Sequence, residues 1–164
     1  MQTLTDKAAN VWMNQLGIVM DSQRNLRFTG GEPSTIHLSN KSPAELSLNL
    51  TGILDSEKGW LLWLTDFSIW SNEIEEIGWM IIEKVLQSKL ELDSSAFLFG
   101  PQEHLNLKAV LMVVLLFEWD AFLMNADGKT FVLIDHDHEI TVSTINEELA
   151  NEIRSSQLET WITR

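Results

Sequence analysis

Six consecutive residues, Trp60-Leu61-Leu62-Trp63-Leu64-Thr65, carry five large apolar side chains before the first polar one. That is the length of a strand and too short for a helix of its own. Successive side chains of a strand point to opposite faces, so an unbroken apolar strand needs cover on both. The chain is therefore expected to build a sheet with this run at its middle and material packed on each side.

Helix signals surround the run. Asp6 to Leu16 reads as a short helix with Thr5 as N-cap and Gly17 as stop, its apolar side made of Ala8, Val11, Trp12 and Leu16. Residues 21–33 read as turn and loop, with Thr29-Gly-Gly-Glu-Pro33 the strongest breaker. After a brief extended piece, Ser34 to Leu38, Ser42-Pro43 opens a helix burying Leu46, Leu50, Ile53 and Leu54. Asn72 with Glu75 resembles a capping box, and Ile74, Ile77, Ile81 and Val85 supply the stripe expected to be buried. A further helix, from Gln102 or Leu105 to Phe117, is apolar nearly all round and must pack on more than one side.

Ala121–Met124 and Thr130–Ile134 flank Asn125-Ala126-Asp127-Gly128-Lys129 and read as a hairpin. Thr144 with Glu147 has the spacing of a capping box opening a last helix toward Trp161. The expected fold is α+β, a mixed α/β arrangement in one domain. A small sheet containing an antiparallel hairpin packs against several helices, with residues 1–33 a looser helix and loop and residues 34–164 the core.

With 164 residues, 45% of them hydrophobic, the chain can bury about 70% of its unfolded surface without staples. It has no cysteine, which removes disulfides, thiol catalysis and thiolate metal sites. The start, Met1-Gln-Thr-Leu-Thr-Asp-Lys7, lacks a basic segment followed by an apolar run, so a cytoplasmic location is the default expectation. The longest apolar run, Ala109 to Phe117, is about half of the ~20 residues needed to span a bilayer. The net charge is −13, and from Glu118 to Glu152 nine acids stand against one base, Lys129. Such a field repels phosphate backbones and anionic lipid, so neither nucleic acid nor membrane is an expected partner, and a basic protein is favoured. No glycine-rich turn follows a strand, which excludes a dinucleotide fingerprint and a phosphate loop; no cofactor is expected.

The densest chemistry lies in Asp135-His136-Asp137-His138-Glu139. In an extended segment His136 and His138 would share one face and the three carboxylates the other. A metal site there needs a third ligand, from His104, Glu118 or Asp120. The alternative is a pair of histidines exposed at a strand end and bonded to nearby loops. Ser68 is not in a nucleophile elbow.

The seven tryptophans are the other distinctive feature. Most large aromatic side chains serve cores, and Trp70, just before a helix start, is the best candidate for an exposed ring, followed by Trp12 and Trp161. The run Leu62-Trp63-Leu64-Thr65-Asp66-Phe67-Ser68-Ile69-Trp70 resembles a group of small bacterial proteins with an aromatic strand of the form W-x-x-T-[DE]-[WF]-x-I-W. In that group a helix ends in an N-G-W-D-like tetrad, followed by a strand and a histidine–aspartate–glutamate element. Phe117-Glu118-Trp119-Asp120, Ala121–Met124 and His136-Asp137 with Glu139 correspond to them here. The chain departs from the pattern at Ser71-Asn72, where a Pro-Ser pair is usual, and at Glu118, where glycine is usual. The resemblance covers about half the chain and singles out Trp70, Trp119, Asp120, His136 and Asp137. No activity travels with it. Size and acidity are similar to those of immunity proteins, by analogy of class.

Two functions follow as expectations. In the first, the chain is a non-catalytic binding module, immunity-like, whose acidic surface and aromatics dock a basic protein. Its binding residues would be Trp70, Trp119, Asp120, His136, Asp137, His138 and Glu139. The second is a small metal-dependent or acid/base enzyme using His136, His138, Asp120 and Asp137, with His136, His138 and Asp120 as metal ligands. The first is favoured, and a homo-oligomer is compatible with either.

Overall fold

The computed structural model describes residues 1–21, 25–38, 42–54, 57–66, 71–90, 94–137 and 139–162, with side chains to residue 155 in the last helix. In chain order the elements are β1 (Gln2–Leu4), α1 (Asp6–Gln15), β2 (Ile18–Met20), β3 (Leu26–Phe28), β4 (Ser34–Leu38), α2 (Pro43–Ile53), β5 (Trp60–Asp66), α3 (Asn72–Leu86) and β6 (Ala96–Phe99). After a 3-10 turn at Pro101–Glu103 come α4 (His104–Leu116), β7 (Asp120–Asn125), β8 (Thr130–Ile134), β9 (Ile140–Thr144) and α5 (Glu147–Ile162). This is the α+β architecture that the sequence implied, on a larger sheet.

Seven strands form one sheet in the order β1-β6-β5-β7-β8-β9-β4, and β2 with β3 forms a separate hairpin. Every described pairing is antiparallel. The apolar run is β5, buried from Trp60 to Leu64 and covered on both faces. Trp60, Leu62 and Leu64 join the core beneath α2, α3, α4 and α5, whereas Leu61 and Trp63 join a second core beneath α1 and the β2–β3 hairpin. The middle place in the sheet belongs to its neighbour β7.

The expected looser front section is built into both layers. β1 extends the main sheet through β6, and Ala9, Met13 and Ile18 are fully buried in the second core. Helix α1 has the expected cap, with Thr5 Oγ1 accepting from Ala8 N at 3.4 Å, but its buried face is Ala9 and Met13 and not Val11. Asp6 sets that rotation: its carboxylate accepts a bond from Trp63 Nε1 at 2.8 Å and another from the Ser95 hydroxyl.

Other sequence expectations hold at the backbone. Ser42 and Glu45 form the reciprocal capping box of α2, at 3.3 Å and 3.2 Å, with Pro43 in the first turn. The β7–β8 hairpin is closed by Asn125 Oδ1 accepting from Thr130 N at 3.2 Å, and Gly128 takes the left-handed φ of +72°. Two caps shift. Ser71 precedes α3 in place of Asn72, and Asn146 caps α5 in place of Thr144, accepting from Glu148 N at 3.1 Å. Thr144 instead ends β9, where its hydroxyl meets that of Thr130 at 2.8 Å.

Helix α3 is the largest departure from expectation. It buries Glu75, Gly78 and Ile82, and turns Ile74, Ile77 and Ile81 outward. The cause is a close approach: a Cβ on Gly78 would stand 2.7 Å from ring atoms of Trp119. Only a residue without a side chain lets the helix settle onto that indole, and the glycine fixes which arc faces the core. Trp119 is itself fully buried, with Trp79 and Phe117 at ring-centroid distances of 5.4 Å and 5.5 Å.

The end of α4 delivers Trp119 to this place. Glu118 adopts φ +55°, and Trp119 N reaches back to Val114 O at 3.0 Å, the six-to-one bond of a left-handed helix termination. A side chain in that conformation is strained by about 1 kcal/mol, which glycine avoids.

Two outcomes follow for urea denaturation. Glu118→Gly should raise stability by about 0.5–1 kcal/mol by relieving the left-handed strain. Gly78→Leu should lower it by about 1–3 kcal/mol or more by overpacking the indole, despite the better helix propensity of leucine. A neutral Gly78→Leu would mean that α3 does not rest on Trp119.

Candidate functional site

Strands β5, β7, β8 and β9 bring the most ionisable groups together at one end of the sheet. Asp66 is the last residue of β5 and pairs across the ladder with Asp120, the first of β7. On the other side of β7, Ala121 pairs with Ile134, which places Asp135 beside Asp120 at the next step. Ile134 in turn pairs with Ile140, so residues 135–139 form the five-residue connection of the β8–β9 hairpin.

The described residues of the histidine segment therefore do not continue the strand, and the alternation of faces expected there does not apply to them. Asp135 Oδ1 accepts from Asp137 N at 2.9 Å, a local aspartate turn that competes with strand pairing. Asp135 N closes the connection onto Glu139 O at 3.0 Å. Asp120 Oδ1 then accepts two bonds from one residue, from His136 N at 2.7 Å and from His136 Nδ1 at 2.8 Å.

Nδ1 thus carries the proton toward Asp120, and in the neutral ring Nε2 keeps the free lone pair. The ring is 44% exposed, and the Asp120 side chain 22%. Protonation makes both nitrogens donors while Asp120 and the nearby Asp135, 3.6 Å from Nδ1, supply negative charge. The His136 pKa is accordingly raised above the usual imidazole value, first by the hydrogen bond to Asp120 and then by the charges of Asp120, Asp135 and Asp137.

Asp120, Asp135 and His136 each offer a ligand atom within 4.8 Å of the other two. This is the group among the described residues that could hold a cation; it keeps Asp120 and His136 of the expected set and adds Asp135. His138 and Trp70 lie outside the described residues, as does Ser68. Asp137 and Glu139 are exposed on the connection. Trp119, expected as a binding residue, is core, because the same helix termination that frees Asp120 turns the indole inward. His104 opens α4 on the chain after β6, whose last residue pairs with Trp60 at the opposite end of β5, and so takes no part.

The acidic stretch from Glu118 to Glu152 divides between two ends of the sheet. Glu118, Asp120, Asp135, Asp137 and Glu139 lie at the end just described, joined there by Asp66. Asp127, Glu147, Glu148 and Glu152 lie at the other end or on the helix leaving it. A strand of six residues separates the two groups by about 17 Å, roughly twice the screening length at physiological salt, so they act as separate fields. The sequence does not place Asp66 at the site, and it offers Asp135 without its partner Asp120, because only the strand register brings the three together.

The dyad makes a definite pH expectation. In an NMR titration His136 should show a pKa above that of a free imidazole, and Asp120→Asn should bring it back down. Because the folded pKa is raised, the dyad's contribution to stability is complete below the unfolded value of about 6.5 and is lost as pH rises through the folded value. An unshifted His136 in the native protein would dissolve the dyad. No family model, curated protein or solved structure matches the chain, so the site stands on its own geometry.

Proposed function

We propose that this chain is a non-catalytic protein-binding module, immunity-like in kind, that docks a basic partner on the acidic end of its sheet. The observation that supports the reading is that four strand ends bring six carboxylates to the end of the sheet that carries His136. Asp135, Asp137 and Glu139 stand on a five-residue connection whose backbone is tied down by hydrogen bonds to its own side chains and to Asp120. Preorganised charge of one sign accelerates encounter with the opposite sign and disfavours acidic partners. The His136 ring is exposed at a hairpin end. No helix among the described residues is long and apolar enough to cross a membrane.

A second reading has one observation behind it, the 4.8 Å grouping of Asp120, Asp135 and His136. Oxygen-rich sets with one imidazole suit a divalent ion, which would then orient water at the exposed ring. Titration calorimetry of metal-stripped protein with zinc, manganese and nickel separates the two readings. Binding at micromolar affinity or tighter that vanishes in Asp120→Asn/His136→Ala would favour the metal reading. Heatless titrations would leave the dyad to hold the loop.

For the binding reading, the protein serves as bait in its source lysate at low and high salt, beside a variant carrying Asp135→Lys, Asp137→Lys and Glu139→Lys. The expected result is a basic protein held at low salt, released at high salt, and absent from the variant. Retention by the variant would remove the acidic end from the interface.

A further inference from the structure

Helix α3 carries a stripe with a specific order. Glu73, Ile77, Met80 and Lys84 follow one another at intervals of four, three and four residues, the spacing that keeps side chains on a single helix face. All four are exposed, Ile77 by 51% and Met80 by 66%, with Ile74 and Ile81 exposed beside them. The seat of Gly78 on Trp119 holds this face outward, so the exposure belongs to the packing and not to a loose helix. Neighbouring α4, which packs against α3, also leaves Leu105 66% and Leu116 60% exposed.

The stripe is acidic at its start, apolar in the middle and basic at its end. Turned end for end by a two-fold axis, it complements itself: Glu73 of one copy meets Lys84 of the other, twice, and Ile77 meets Met80, twice. Such reciprocity is what an isologous interface requires. A basic or acidic foreign helix would satisfy only half of it. We propose that this face is the dimer interface between two copies of the chain, with α3 packed antiparallel against its twin about an axis passing near Gly78 and Trp79. The proposal is independent of the acidic end of the sheet, which it leaves free.

One helix seam with its margins falls short of the ~1,200 Å² of a standard stable interface, so the dimer is weak and concentration-dependent. Sedimentation equilibrium on the full chain, from micromolar to millimolar concentration at physiological salt, should show reversible dimerisation. Lys84→Glu or Glu73→Lys alone replaces two attractive pairs by two repulsive ones and should raise the dimer Kd by about tenfold or more. The double exchange Glu73→Lys/Lys84→Glu restores opposite charges in the same register and should return the Kd to within a few-fold of the original. Met80→Asp should leave only monomer. All four positions are exposed, and circular dichroism of each variant verifies the fold. A monomer at every concentration would overturn the proposal and assign the stripe to a different protein. So would a dimer indifferent to Met80→Asp, or a double exchange no better than the single variants.

Discussion

The contact between Gly78 and Trp119 is the point on which the rest of the molecule turns. The indole is fully buried at the junction of α4 and β7, and the glycine above it lets α3 descend to van der Waals range. Two consequences propagate in opposite directions. Outward, the rotation of α3 is set, and with it the face that meets solvent. Inward, the chain enters β7 at the next residue, so Asp120 begins the central strand and stands at the sheet end where Asp66 and Asp135 arrive by register. The left-handed Glu118 is the backbone cost of turning between these two tasks in a single residue.

Around Asp120 the electrostatics follow from topology. Adjacent antiparallel strands bring residues distant in sequence to one ladder end, and here they deliver carboxylates from β5, β7 and the β8–β9 connection. Their mutual repulsion is moderated by His136, whose backbone N–H and ring both bond to Asp120. The imidazole thus stabilises the loop in either protonation state and adds a countercharge once protonated. An acidic stretch that is continuous in sequence becomes two fields, because the strands carrying it run from one end of the sheet to the other.

Legibility in the sequence tracked the range of the forces involved. The helices α1 and α2 and the β7–β8 hairpin were readable because caps, proline placement and an Asp-Gly turn are local signals. Strand β5 was readable because five consecutive apolar side chains exceed what one face can hold. Strands β1, β6 and β9 were not, since segments of three to five residues are too short to signal a strand alone and take their conformation from the strands they pair with. The face of α3 was misread for a different reason: with apolar residues at most positions, periodicity cannot choose an arc, and the choice falls to a glycine, which apolar patterning does not weigh. At the site, His136, Asp120 and Asp137 stood out by residue type, whereas Asp135 and Asp66 gained their places through cross-strand register alone.

The strand order also has a consequence in time. Both edges of the sheet, β1 and β4, come from the first 38 residues, while the middle is completed by β7, β8 and β9. The bond between His37 and Thr141 closes a separation of 104 residues. At a synthesis rate of about 5–20 residues per second, β4 waits roughly 5–20 s for the strand that will pair with it. During that interval β4 has no native ladder to join, and pairing distant strands is slow even for a finished chain. The meander β7–β8–β9 is joined by short connections, and β4, one of the first strands made, can take its place at the edge only once that meander exists.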